Sequence, residues 1–214
     1  MAQPTAAMPL PAKIGAAAAV VTLASLLLTL FSSSTGFTGC ITITQPGYYS
    51  LLNDVNATGS CIDVQADDVT VDCQLHTILG PGSGVGVQVA GRQNVLITNC
   101  RINNFQTGAR LDGAAVGIER SELRANTIGL DASGPSIFTT FFNSLAGNTQ
   151  WNVQSTVPSS YITVFDQGGR PIRVSVPYIV LDQNWWGTTN PAAINATING
   201  AVAATPFLLQ DPFA

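Results

Sequence analysis

One short pattern recurs about four times across residues 61–153 and constrains the fold more than any other feature of the chain. A run of alternating apolar residues, a small or polar turn, a second alternating run and a turn bearing Asn or Gly follow one another, and the pattern restarts. The restarts are Cys61-Ile62-Asp63-Val64, Val87-Gln88-Val89, Ala109-Arg110-Leu111 and Ile128-Gly129-Leu130. The second runs are Val69-Thr70-Val71, Val95-Leu96-Ile97, Val116-Gly117-Ile118 and the Ile137-Phe138 region. Taking Val64, Val89, Leu111 and Leu130 as equivalents gives spacings of 25, 22 and 19 residues. A period in the low twenties marks a stacked solenoid, in which each coil buries its inward side chains only against its neighbours.

Charge excludes some partners. Charged residues are 9% of the chain and hydrophobic ones 46%. The single lysine, Lys13, precedes an apolar leader, so the body carries a mild negative charge that disfavours nucleic acid and anionic membrane surfaces. Residues 14–31 carry no charge and lead into Ser32-Ser33-Ser34-Thr35-Gly36, the order of a secretory signal with small residues for a peptidase. That run also has the length of a membrane-spanning helix. Both readings, a cleaved signal and an uncleaved anchor over residues 1–36, place residues 37 onward outside the cytoplasm, extracellular or at the cell surface. Any membrane contact is expected through that segment alone.

Four cysteines, Cys40, Cys61, Cys73 and Cys100, follow the leader, and an even count behind an export signal points to disulfides. Cys40 with Cys61 and Cys73 with Cys100 are the expected pairs, because consecutive coils bring similar positions together. Zinc is the alternative, but no CxxC occurs and His76 is the single histidine. No metal or other cofactor is expected. Asn56-Ala57-Thr58 and Asn195-Ala196-Thr197 are glycosylation sequons.

Residues 37–60 read as a turn that caps the open edge of the first coil. Further on, Asp68-Val69-Thr70-Val71-Asp72-Cys73-Gln74-Leu75-His76-Thr77-Ile78 and Asn94-Val95-Leu96-Ile97-Thr98-Asn99-Cys100-Arg101-Ile102-Asn103-Asn104-Phe105 resemble the repeats of the NosD-like, right-handed parallel β-helix family of secreted and cell-surface proteins. Leu75 departs from that pattern, which usually carries glycine before the histidine. The resemblance spans about residues 40–155. It implies an all-β, right-handed parallel β-helix over residues 37–183, and it leaves activity open because the repeat occurs in proteins of unrelated function. Asn99, Asn103, Asn126 and Asn148 read as turn residues able to stack in ladders. Ile102 matching Leu123 sets Arg101 beside Glu122, a pair within reach across adjacent strands.

Two strands joined by residues 166–170 read as a hairpin inserted near residues 158–177. The tail Asn184-Trp185-Trp186-Gly187, ending Pro206-Phe207-Leu208, resembles the closing segment of many secreted β-helix proteins, so residues 184–214 are assigned as a cap. Trp185 and Trp186 are expected to cover the last coil, with stacking on sugar rings as the other use of exposed indoles.

Catalytic chemistry has one candidate. Asp112 follows Leu111 as Asp131 follows Leu130, so that alignment stacks the two carboxylates on adjacent coils, about 5 Å apart. Such a pair could share a proton, hold Ca²⁺ or act as the acid and nucleophile of a polysaccharide lyase or glycoside hydrolase. The bland reading is two solvated turn aspartates. Asp72 and His76 read as turn residues of the repeat. The expectation is therefore a secreted or surface-anchored protein with a structural or adhesive role and no evident catalytic site. The alternative is a carbohydrate-binding or polysaccharide-degrading β-helix. A surface polysaccharide or self-association supplies the partner in either case.

Overall fold

The computed structural model describes residues 34–157, 160–165, 171–176, 179–181, 183–200, 202, 204 and 206–213. Of the leader expected over residues 1–36, residues 1–33 lie outside the described residues, and Thr35 and Gly36 belong to the first strand. The described residues open with β1 (Thr35–Phe37) and β2 (Ile41–Ile43). Four coils of three strands follow: β3 (Gly47–Leu51), β4 (Val55–Asn56) and β5 (Ile62–Val64); β6 (Val69–Asp72), β7 (Thr77–Leu79) and β8 (Val85–Ala90); then β9 (Val95–Thr98), β10 (Arg101–Asn103) and β11 (Thr107–Asp112); β12 (Ala115–Glu119), β13 (Glu122–Arg124) and β14 (Ile128–Ser133). Next come β15 (Ile137–Phe141) and β16 (Trp151–Ser155), an antiparallel pair β17 (Ser160–Phe165) and β18 (Pro171–Val176), and β19 (Ile179–Val180). A single turn of helix, α1 (Pro191–Asn195), capped by the Asn190 side chain, precedes β20 (Ile198–Asn199).

Corresponding strands of successive coils pair in parallel. They make three sheets: a first of seven strands through β3, β6, β9 and β12, a second of seven through β5, β8, β11 and β14, and a third of four, β4, β7, β10 and β13. The chain is thus an all-β parallel solenoid. Its core is one column of inward side chains from all three sheets, among them Val71, Ile97 and Ile118, then Ile78, Ile102 and Leu123, then Val87, Leu111 and Leu130, all at most 1% exposed. Burying each such side chain contributes about 1.5–3 kcal/mol relative to leaving it in water. Residues 47–64 already form a complete coil, so the expectation of a cap over residues 37–60 is corrected: only β1 and β2 lie beyond it, each pairing with the first coil.

The corners between strands carry a second, polar order. Asn143 is fully buried; its Oδ1 accepts from the Ser121 N–H at 2.8 Å and its Nδ2 donates to Ile118 O at 2.9 Å. Asn184 repeats that contact one coil on, its Oδ1 accepting from the Asn143 N–H at 3.1 Å. At the neighbouring corner Asn126 and Asn148 do the same, accepting from the N–H groups of Phe105 and Asn126 at 2.9 and 3.0 Å. Backbone amides that leave a strand at a bend lose their ladder partner, and these side chains replace it. Asn99, also expected in a turn, has φ 53° at the corner between the first and third sheets. Asn103 lies instead on β10, and its neighbour Asn104 takes the left-handed turn position with φ 60°.

Both disulfides join the pairs expected from the sequence, Cys40 to Cys61 and Cys73 to Cys100. Their Cα atoms are 4.4 and 4.7 Å apart, the separation of neighbouring rungs, so each bond staples one coil to the next.

Candidate functional site

The second sheet exposes one residue per rung at its centre, and register makes these a continuous polar column: Thr42, Asp63, Gln88, Arg110, Asp131, Gln154 and Asn199. Alternation along each strand sends the flanking residues inward, so the column stands alone between two buried ones. Its members bond along the stack and across it. Arg110 Nε lies 3.4 Å from Asp131 Oδ2, Gln154 Nε2 donates to Asp131 Oδ1 at 3.2 Å, and Gln65 Nε2 donates to Asp63 Oδ2 at 2.7 Å.

This register corrects the alignment of Asp112 with Asp131. Leu111 lies opposite Ala132, not Leu130; Arg110 faces Asp131, and Asp112 faces Ser133, whose hydroxyl donates to Asp112 Oδ1 at 3.1 Å. The match falls two residues later than the sequence implied. A shift of two preserves the inward and outward alternation, so the apolar pattern cannot distinguish the two registers. The glycines can. Gly86, Gly108 and Gly129 occupy one corner position, where a Cβ on Gly108 would stand 2.6 Å from Gly129 O and 2.8 Å from Asn126 Nδ2. The same shift places Asp131, rather than Gly129, in the column that contains Asp63. Asp131 thus sits against a guanidinium and an amide donor, and Asp112 against a hydroxyl one column away.

Two smaller constellations were not legible as sites. On the first sheet the Tyr48 hydroxyl donates to Asp72 Oδ2, and Asp72 Oδ1 accepts from the Asn99 amide at 3.0 Å and the Gln74 N–H at 2.9 Å. Partial burial pushes the Asp72 carboxyl up, but these three donors and the charge of Arg120 outweigh it and hold the group below its usual range. The bond to Asp72 also raises the Tyr48 hydroxyl, helped by burial. His76 is not coupled to Asp72. Its Nδ1 lies 3.1 Å from Asp54 Oδ1, which also accepts from the Thr77 N–H at 2.8 Å. That backbone bond, then His76, keeps the Asp54 carboxyl below its usual value.

Trp186 is 3% exposed and belongs to the core, whereas Trp185 is half-buried and its backbone bridges to Ser144 in line with β13. The two indoles therefore do not form a shared exposed platform. Phe105 and Phe138 are interior at 1% exposure, and Phe142 is 46% exposed. Arg101 and Glu122 are register partners, as the Ile102 and Leu123 match implies, but they form no ion pair. Among the described residues, no group of three His, Cys, Asp or Glu side chains is placed to hold a metal ion, and no helix is long and apolar enough to cross a membrane. Compared with known proteins, the chain matches no family model, no curated protein and no solved structure.

Proposed function

We propose that this chain is a secreted or surface-anchored right-handed β-helix that acts by adhesion, holding a surface polysaccharide along the polar column of its second sheet. In this reading the segment ahead of β1 directs export, the solenoid runs from β1 to residue 183, and residues 184–214 close it, adding β20 to the second sheet. The buried Trp186 supports that closure, and the two disulfides support an oxidising compartment. The single observation that carries the reading is the seven-residue column itself. Stacked strands set its donors and acceptors about 4.8 Å apart on a rigid surface, so an extended chain of hydroxyl-rich units can be met rung after rung. The same geometry favours binding over bond cleavage. Asp131 is engaged by its two register partners, Arg110 and Gln154, and neither is a carboxylate that could exchange a proton with it.

A polysaccharide array probed with the full chain, combined with a reducing-sugar assay on each retained polymer, tests the proposal. Retention of at least one polymer is expected, weakened about tenfold by Arg110→Ala through loss of charged hydrogen bonds, with no release of reducing ends. Turnover lost in Asp112→Asn or Asp131→Asn would establish the enzyme instead. Failure to retain any polymer would remove the polysaccharide as partner.

A further inference from the structure

On another flank of the solenoid, where chain leaves the first sheet for the third, a cavity of about 690 Å³ is lined by Leu75, Asn99, Arg101, Arg120, Phe142 and Phe213. Its composition is unusual for a solvated corner. Leu75 and Phe142 are 47% and 46% exposed, large apolar side chains left facing the opening. Between them stand two guanidinium groups in a chain with only eight cationic residues.

Backbone conformation sharpens the point. Successive coils stack their turn residues at this corner through Leu75 N to Asn99 O at 2.7 Å, Arg120 N to Phe141 O at 3.1 Å, and Phe142 N to Gln183 O at 2.9 Å. The turn requires a left-handed residue, with φ 66° at Leu75, 53° at Asn99, 45° at Arg120 and 56° at Phe142. Asparagine and glycine take that conformation readily, and Asn99 is such a choice. Leu, Arg and Phe do not, and all three strained positions put their side chains into the wall of one cavity.

The charges are incompletely used. Among the described residues Arg101 has no hydrogen-bond or ion-pair partner, and its buried Nε is unsatisfied. Arg120 meets Glu119 only at 3.7 Å, with both side chains substantially exposed, and reaches Thr98 Oγ1 at 3.5 Å. Of the other acids around the two arginines, Asp72 feels the charge of Arg120 but is hydrogen-bonded by Tyr48, Asn99 and Gln74, and Asp54 feels that of Arg101 but is hydrogen-bonded by Thr77 and His76. One guanidinium is therefore without a bonded partner among the described residues and a second is shared, which matches one negative charge rather than several. A volume of this size with largely apolar walls and a few convergent polar groups is that of a small-molecule site, and the planar guanidinium fork suits a carboxylate.

We propose that this cavity binds a small organic monocarboxylate with an aryl or branched acyl body, the carboxylate on Arg101 and Arg120 and the apolar body between Leu75, Phe142 and Phe213. The site stands apart from the polar column and does not depend on the adhesive reading. Calorimetric titration of the full chain with naphthoate, its neutral analogue naphthylmethanol, and acetate tests it. Naphthoate is expected to bind at least about tenfold more tightly than either, since each control lacks one half of the recognition. Arg101→Gln is expected to weaken naphthoate about tenfold, and Arg92→Gln, on the turn before the first sheet, to leave it unchanged. Should Arg101→Gln fail to fold, Arg120→Gln carries the same expectation, and the comparison of the three ligands needs no variant. Equal affinity for naphthoate and naphthylmethanol, absence of saturable naphthoate binding, or undiminished affinity in a folded Arg101→Gln protein would each overturn the proposal.

Discussion

Asn143→Ala is expected to lower the free energy of unfolding by about 3–5 kcal/mol, through the partners it leaves behind rather than the volume it removes. The Ser121 N–H loses its acceptor inside the solenoid, where water cannot replace it, and Ile118 O loses a donor. Asn184 Oδ1 also gives up the second of its two bonds to residue 143, although the backbone one remains. One orphaned buried donor costs about 1–3 kcal/mol, and two lost bonds add about 1 kcal/mol each. Asn94→Gly makes the contrast. Asn94 is an exposed turn residue with φ 55°, and glycine supplies that conformation freely, so its effect should stay within about 1 kcal/mol. Equilibrium denaturation of both variants, with the denaturant slope unchanged, measures the difference directly. Similar losses in the two would mean that the buried side-chain bonds of Asn143 contribute no more than an exposed turn position does.

Removing the disulfides is expected to have the larger combined effect. The crosslinked pairs are 21 and 27 residues apart, and closing loops of that length in the unfolded chain is worth about 3.5 kcal/mol each on the chain-entropy account. Losing both removes about 7 kcal/mol, as much as the whole stability of many domains. The two bonds should not be equal, however. Their loop entropies differ by only about 0.2 kcal/mol, while Cys73 and Cys100 are both fully buried and Cys40 is exposed. Cys73→Ala/Cys100→Ala should therefore lower the melting temperature more than Cys40→Ala/Cys61→Ala, by the added loss of core packing. Under mild reductant, mass spectrometry should find Cys40 and Cys61 free first. The opposite order in either experiment would mean that burial does not set the hierarchy.

Much of this fold was legible because a solenoid repeats its instructions. Val64 and Val89, Val71 and Ile97, Ile102 and Leu123 recur with the same neighbours, and these residues do lie opposite one another. Strands of two or three residues, such as Val55–Asn56, show no alternation of their own, which hid the first strand of the third sheet and the coil it completes. The candidate site was legible in part. Arg110 and Asp131 both fall within the repeat, but the apolar pattern matches Asp131 with Asp112, because an error of two residues leaves every aliphatic side chain facing inward. The recurring Gly86, Gly108 and Gly129 would have fixed the register, since each sits where the next coil leaves no room for a Cβ. Asp54 and the arginine-lined cavity could not be read, for their members come from different coils and from the tail, brought together only by stacking.

Whether these rungs stack as described decides both the polar column and the fate of the carboxylate pair, and engineered crosslinks test it most directly. All four native cysteines are already bonded, so added pairs report on register alone. Positions 110 and 131 are direct partners at about the spacing of adjacent strands, within disulfide reach. Positions 112 and 131 are offset by two residues, which puts their Cα atoms about 8 Å apart and beyond that reach. Arg110→Cys/Asp131→Cys should close spontaneously on air oxidation, and Asp112→Cys/Asp131→Cys should retain two free thiols. Closure of the second pair with failure of the first would return the two aspartates to adjacent rungs and contradict the stacking on which the adhesive column rests.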